Sequence, residues 1–174
     1  PCFQQFINGL DIDNDFKNLL YEAEIVKVKV ERKARSWHIF LKCDKIIPYS
    51  WFVELEKKVI KNIPSLRHVF FIPCFNPGHL TLKAYCQEYI DLLELYIQYY
   101  LTSAKGWIDQ IKWKVEDQIL TLYLPTQILV EYFEQKNYPQ FIELLLLNAL
   151  GEKCEIRLIS SVEDNSSEEG VIEE

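Results

Sequence analysis

Two sets of side chains in this 174-residue chain have types suited to metal binding or catalysis. The first is the acidic run Asp11, Asp13 and Asp15 near the N-terminus. Two-metal enzymes use carboxylates held close together in this way. Here the run directly precedes a predicted helix, and acidic side chains favour helix N-termini. We therefore interpret the run as the start of that helix and not as a metal site.

The second set has the side chains that zinc prefers, but not the spacing. Cys74 and His79 are flanked by His68 and Cys86, and these distances along the chain match no established zinc-ligand pattern. Such residues more often pack or lie on the surface. The sequence also lacks a glycine-rich phosphate loop and a nucleophile elbow. It therefore predicts no catalytic residue, no metal ligand and no cofactor for this segment.

Charge is distributed unevenly along the chain. Net charge is -7, yet residues 1–80 carry 12 basic and 9 acidic residues, whereas residues 81–174 carry 7 and 17. Affinity for nucleic acid comes mainly from Lys and Arg, so only the first half could present a basic patch. The five cysteines are odd in number and widely spaced, which favours a reducing cytoplasm. The sequence shows no membrane span and no secretory signal, and without a methionine we expect it to be part of a longer protein.

The elements that carry these residues follow one order twice, which predicts an α+β fold. In residues 20–48, Val26, Val28 and Val30 alternate with Lys27, Lys29 and Glu31, so the valines share one sheet face and the charges the solvent face. The first pass is predicted as a short helix near residue 16, strands 24–31 and 36–43, helix 48–62 and strand 68–72. The second is predicted as helix 81–103, strands 111–116 and 118–124, helices 126–136 and 139–150, and strand 154–160.

The predicted architecture is two successive αββαβ units of the KH-like type II order, each a small sheet with helices on one face. We place the first domain at residues 1–75 and the second at 80–162, with Asn76-Pro77-Gly78 between them. Residues 163–174 carry six acids and no apolar periodicity, which predicts a disordered acidic linker.

Short motifs in the first 73 residues resemble one family, the PolC-type DNA polymerase III alpha subunit of low-GC Gram-positive bacteria. The similarity is to its first N-terminal domain and lies in Leu20-Tyr21-Glu22-Ala23-Glu24-Ile25, Lys27-Val28, Arg35-Ser36-Trp37 and Ile46-Ile47-Pro48-Tyr49. Residues 80–162 are similar in pattern to the family's second N-terminal domain. The resemblance implies a non-catalytic segment of a replicative DNA polymerase, whose polymerase and 3'–5' exonuclease domains follow in the parent chain.

The resemblance also implies partners. The family's first domain resembles the KH-like C-terminal domain of the tau clamp-loader subunit, which suggests contacts with replisome proteins and with the rest of the polymerase chain, and with DNA only through the parent polymerase. RNA-binding KH folds hold the phosphate backbone with a GxxG loop. No GxxG occurs in this sequence, so we expect the fold to serve protein contacts.

Two surfaces are candidates for partner binding. The first is the basic hairpin, with Lys27, Lys29, Arg32, Lys33, Arg35 and, as an aromatic anchor, Trp37. A plain solvated hairpin whose lysines block edge pairing is the alternative. The second is the tyrosine-rich helix around Tyr89 and Tyr96, for which core packing is the alternative. A single-stranded nucleic-acid-binding module is the competing hypothesis for the chain, and it predicts steeply salt-dependent oligonucleotide binding.

Overall fold

The computed structural model of the protein describes residues 8–10, 14–100, 106 and 108–161. The chain divides into two compact units, residues 1–79 and 80–174, and the described residues of each contain one three-stranded sheet. Asp11, Asp13 and the predicted acidic tail at 163–174 lie outside the described residues. Within the described ranges, no helix has the length and apolar character needed to span a bilayer.

The first unit has the predicted helix-strand-strand-helix-strand order. Its sheet has β2 in the centre, antiparallel to β1 and parallel to β3. The parallel step from β2 to β3 requires a crossover, and a helix supplies it, as is usual for such connections. The elements are α1 Asn14–Tyr21, β1 Glu24–Glu31, β2 Ser36–Lys42, α2 Tyr49–Asn62 and β3 His68–Cys74.

Helix α2 provides the core of the first unit. It buries Phe52, Leu55 and Val59, whose helical spacing was the basis for predicting this helix. The ring of Phe52 stacks on that of Phe71 in β3, with ring centroids 6.1 Å apart. Ile39 of β2 lies beside Phe71 in the parallel register and is equally buried. Helix α2 therefore covers the part of one sheet face that β2 and β3 form.

The valines of β1 are exposed, and the predicted alternation holds for Val28 and Val30 but is interrupted at Val26, where the register shifts. Val28 pairs with Ile39 and Val30 with Trp37, so both valines share the sheet face that α2 covers further along. Their exposed fractions are nevertheless 44% and 53%, and Val26 reaches 62%. The cause is position, because β1 forms one edge of the sheet while α2 packs on β3 at the other edge. Burial of an alternating face depends on the element above it, which the strand pattern does not contain.

The second unit repeats the same topology, which confirms the prediction of two successive αββαβ units. Strand β4 is antiparallel to β5, and β5 is parallel to β6. The crossover helix is split in two, as predicted from Tyr138-Pro139. The elements are α3 Leu82–Tyr100, a 3₁₀ turn Ile108–Gln110, β4 Lys112–Glu116, β5 Ile119–Leu124, α4 Gln127–Gln135, α5 Tyr138–Leu150 and β6 Glu155–Ser160.

Local signals in the sequence account for the ends of the helices in the second unit. The hydroxyl of Thr126 accepts a hydrogen bond from the Leu129 N–H at 3.4 Å and so caps α4. Asn137 separates α4 from α5 with a left-handed φ of 55°, and Pro139 occupies the first turn of α5. Gly151 ends α5 with a φ of 69°, a conformation that glycine adopts without a steric penalty. Gly151 thus ends the helix as predicted.

Candidate protein-binding surface on the first unit

The turn between β1 and β2 is held in place by one of its own basic residues. Arg35 has a left-handed φ of 54°, unusual for a residue with a side chain. Its Nε donates to the carbonyl oxygen of Ser65 at 2.5 Å, and its Nη2 donates to that of Pro64 at 3.2 Å. Its own carbonyl accepts from the Arg67 N–H at 2.8 Å. Arg35 therefore joins the turn to the segment between α2 and β3, and its charge is engaged within the unit.

The other predicted basic residues lie on the hairpin and differ in the contacts that their side chains make. Lys27 Nζ lies over the Phe40 ring, 5.6 Å from its centroid. Lys29 Nζ lies 2.6 Å from a carboxylate oxygen of Glu31. The side chains of Arg32 and Lys33 are exposed at the turn and make no hydrogen bond or ion pair with the residues that the structure describes. We call Lys27, Lys29, Arg32 and Lys33 the basic face.

A buried histidine lies beneath the basic face. His38 of β2 is fully buried; its ring stacks on Phe70 at 5.0 Å, and its Nε2 lies 3.3 Å from the Ser36 hydroxyl. Burial is the main cause that lowers the pKa of His38 from 6.5 to about 4; Glu31 opposes the shift, and the positive charge of Lys29 adds to it. His38 is therefore neutral at pH 7, and the basic face gains no charge from it.

The opposite face of the same strand is apolar. Val28 and Val30 are exposed there, and the half-buried Trp37 lies beside Val30; Val26, next along the strand, is exposed as well. We call these three valines the valine face. At Val26 the β1–β2 register shifts, so that one extra residue of β1 bulges from the ladder. In the described part of the chain no strand pairs with the outer edge of β1.

The edge formed by β3 is closed to pairing in a way that β1 is not. The backbone N–H of Val69 donates a hydrogen bond to the carboxylate of Glu56 on α2, which opposes the rise that burial causes in the pKa of that carboxyl. Pro73, further along β3, has no N–H to offer a further strand. A side-chain acceptor and a proline are both devices that blunt sheet edges. The open edge of this sheet is therefore β1.

The second unit has the same device at the same place. Glu143 of α5 accepts a hydrogen bond from the Ile156 N–H of β6 at 3.3 Å. Val69 and Ile156 are each the second residue of the last strand of their units. Glu143 precedes Ile156 by 13 residues, the interval that also separates Glu56 from Val69. Sequence inspection missed both carboxylates, although this shared spacing was the signal that could have revealed them.

The tyrosines proposed as an alternative docking site are buried. Tyr89 has no exposed area and Tyr96 is 4% exposed. The Tyr89 ring lies 4.9 Å from that of Tyr85, and the Tyr96 ring stacks on Phe141 at 5.8 Å. Neither Tyr89 nor Tyr96 presents its ring to a partner in this conformation. Their burial favours core packing, the alternative that the sequence left open.

The candidate metal ligands are not gathered into a site in the described ranges, where no group of three or more His, Cys, Asp or Glu residues could hold a metal ion. His79 Nε2 lies 2.7 Å from the carbonyl oxygen of Asp44, and its ring faces that of Phe75. Burial raises the pKa of Cys74 to about 11, so this thiol stays protonated at neutral pH. The contacts that these two residues make are those of packing residues.

The first unit is a small α+β module. The edge of its sheet at β3 is closed, whereas the edge at β1 is open and is basic on one face and apolar on the other. Residues 2–71 match the family described as DNA polymerase III polC-type N-terminus I. The match covers the elements of the first unit up to β3, and it places this part of the chain in the N-terminal region of a polC-type DNA polymerase III, a replication protein. Comparison with curated proteins and with solved structures yields no match.

Proposed function

We propose that this segment is a non-catalytic protein-interaction module of the replisome, located in the cytoplasm, and that it contacts its partner through the β1–β2 hairpin. The observation that carries the proposal is the hairpin itself. Its β1 strand and turn expose the basic residues of the basic face and three apolar side chains of the valine face. Contiguous exposed apolar groups with charged neighbours are typical of protein-binding sites.

The charges of the unit support a protein partner that is acidic. Residues 24–43 hold six basic residues, Lys27, Lys29, Arg32, Lys33, Arg35 and Lys42, against two acidic ones, Glu24 and Glu31. Complementary charge accelerates association and orients the two surfaces before contact. The replisome proteins that the family resemblance suggests, the tau clamp-loader subunit and the rest of the polymerase chain, are the partners to test first.

A direct binding measurement tests this proposal. The 174-residue chain is titrated with purified tau subunit and, separately, with the remainder of the polymerase from the same bacterium. The double variant Arg32→Glu with Lys33→Glu should slow association several-fold, since both side chains are exposed and make no hydrogen bond or ion pair within the described residues. Lys61→Glu with Lys153→Glu, an equal change of charge at exposed positions elsewhere, is the matched control. Absence of binding by the unaltered chain to either protein would refute the proposal.

Nucleic-acid binding is the competing outcome of the same experiment. A single-stranded oligonucleotide replaces the protein partner, and binding is measured across a range of salt concentrations. Electrostatic binding to phosphates weakens steeply with salt. Strong binding of that kind, lost in the Arg32→Glu and Lys33→Glu variant, would assign the hairpin to nucleic acid and overturn the protein-interaction proposal.

The non-catalytic part of the proposal has its own test. The isolated segment should neither extend a primer nor degrade DNA in the presence of Mg²⁺ or Mn²⁺. Turnover that disappeared on changing Asp11 or Asp13 to Ala would contradict it, because these residues begin the one alternating carboxylate run of the sequence.

A further inference from the structure

We infer that the outer edge of β1 is a strand-docking site, and that its partner is an extended segment in which acidic residues alternate with β-branched apolar ones. The inference rests on the proposed function and states the chemistry of the partner at the same hairpin. Addition of a strand to a sheet edge is an established mode of peptide recognition, in which main-chain hydrogen bonds supply affinity and alternate side chains supply specificity.

The first step is that only one edge of this sheet can accept a strand. Glu56 occupies the Val69 N–H, and Pro73 removes a further donor from β3. Strand β1 contains no proline and carries no such side-chain acceptor among the described contacts of its valines. Its eight residues, Glu24–Glu31, offer a length typical of strands in globular proteins.

The second step is that the two faces of β1 specify two kinds of side chain. Directly opposite residues on neighbouring strands point to the same face of the sheet. A docked strand would therefore place every second residue beside Val28 and Val30 and the intervening ones beside Lys27 and Lys29. Apolar β-branched side chains suit the first set, because the valines are 44% to 62% exposed and gain from burial. Carboxylates suit the second set.

The third step is that the acidic residues at the ends of β1 limit the register. Glu24 begins the strand and Glu31 ends it, with Lys27 and Lys29 between them. A partner with acids opposite the two lysines and none opposite the two glutamates matches this order, because like charges directly opposite each other destabilise a strand pair. The preferred partner thus has two acidic residues, two positions apart, at the centre of its extended segment.

A second copy of this chain is a poorer occupant. Antiparallel pairing of two β1 strands about Val28 would set Lys27 of each copy against Lys29 of the other. Edge lysines of this kind are a device by which proteins prevent self-association. The same lysines that disfavour a second copy favour an acidic partner, so the charge of the edge distinguishes the two occupants.

The test uses the full 174-residue chain and a capped synthetic peptide with the sequence pattern Thr-Val-Glu-Val-Glu-Val-Thr. Its binding is measured by fluorescence anisotropy, and the site by hydrogen exchange of residues 24–31. We expect binding that protects the β1 amides. Two control peptides, one of the same composition in shuffled order and one with lysine in place of glutamate, should bind at least tenfold more weakly, since they lose the alternation and the charge match respectively.

Variants of the protein locate the site and separate backbone from side-chain contributions. Val26→Thr, Val28→Thr and Val30→Thr together should weaken peptide binding roughly tenfold, from the loss of apolar cross-strand contacts. Ile128→Thr with Leu144→Thr, at exposed apolar residues of the second unit, is the matched control and should change nothing. N-methylation of alternate peptide amides on one side should abolish binding, while methylation of the other side should leave it intact.

Each outcome decides the inference. Equal affinity for the ordered and shuffled peptides, or binding that the valine substitutions leave unchanged, would overturn it, as would concentration-dependent dimers of the chain that exclude the peptide. Failure of the proposed function looks different, since it is the absence of binding to tau and to the polymerase by the unaltered chain. A replisome protein that binds the valine variant as tightly as the unaltered chain would refute strand docking alone.

Discussion

Acidification should destabilise the first unit through a single buried side chain, His38. Burial lowers the pKa of His38 from 6.5 to about 4, because the charged imidazolium loses its hydration within the unit. The imidazole of His38 therefore binds a proton more readily in the unfolded chain than in the folded one. Stability from His38 is fully present above pH 6.5, falls as the pH drops from 6.5 towards 4, and levels off below that.

The size of the effect follows from these two pKa values. Each pKa unit corresponds to about 1.4 kcal/mol, so the largest loss is about 3.4 kcal/mol. Between pH 7 and pH 5 the same two values give a loss of about 1.8 kcal/mol in the free energy of unfolding. Such a loss is a substantial fraction of the stability of a typical small domain, which is about 5–15 kcal/mol.

The assay compares the urea unfolding of the unaltered chain with that of His38→Gln at pH 5, 6 and 7. Carboxylates titrate in both proteins, so their effect cancels when the two free energies of unfolding are subtracted. The unfolding free energy of the unaltered chain minus that of His38→Gln should therefore fall by about 1.8 kcal/mol between pH 7 and pH 5. His79→Gln, at an exposed histidine of the same unit, is the control and should keep the full pH dependence. An NMR titration midpoint for His38 at pH 6 or above, or an unchanged pH dependence in His38→Gln, would refute the reasoning.

Three further predictions test contacts that position the hairpin and the sheets. Arg35→Glu should lower the unfolding free energy by about 2 kcal/mol through loss of two charged hydrogen bonds, whereas Arg32→Glu should stay within about 0.5 kcal/mol; equal effects in urea unfolding would contradict the assigned role of Arg35. Glu56→Leu should speed hydrogen exchange at the Val69 amide, and Glu143→Leu should do the same at the Ile156 amide, because each carboxylate accepts a hydrogen bond from that N–H. Glu56→Gln and Glu143→Gln should keep the exchange slow. Thr126→Ala should cost about 1 kcal/mol by removing a helix cap, measured by thermal unfolding, and an unchanged transition would contradict the cap.

The order of the elements was predictable because each element carries its own local signal. The valine-lysine alternation of β1, the helical spacing of Phe52, Leu55 and Val59, and the stop at Gly151 each depend on residues close in sequence. The structure confirms the strand, the helix and the helix end that these signals predict, although a register shift at Val26 interrupts the alternation within β1. The split crossover helix was predictable for the same reason, since Pro139 is compatible only with the first turn of a helix.

The surface was less predictable, because exposure and engagement depend on residues distant in sequence. Arg35 was predicted as a partner-binding member of the basic hairpin, because the local pattern does not reveal its hydrogen bond to Ser65, 30 residues away. The exposure of Val28 depends on where α2 packs, and the burial of Tyr96 on Phe141. The alternation of residues in β1 predicted the two faces of the strand, but it did not predict which of them a helix covers.

One carboxylate, that of Glu56 on α2, leaves the first sheet a single edge at which a strand can be added. Because Glu56 blocks the sheet edge at β3, a strand can join only at β1. A docked strand that alternates acidic with apolar residues would present carboxylates, not lysines, to a second strand of the same kind. Attachment would then stop after a single strand. A capped ladder of this kind has a fixed one-to-one stoichiometry and does not propagate into a fibre, which lets a replication protein expose a strand edge at high local concentration without polymerising.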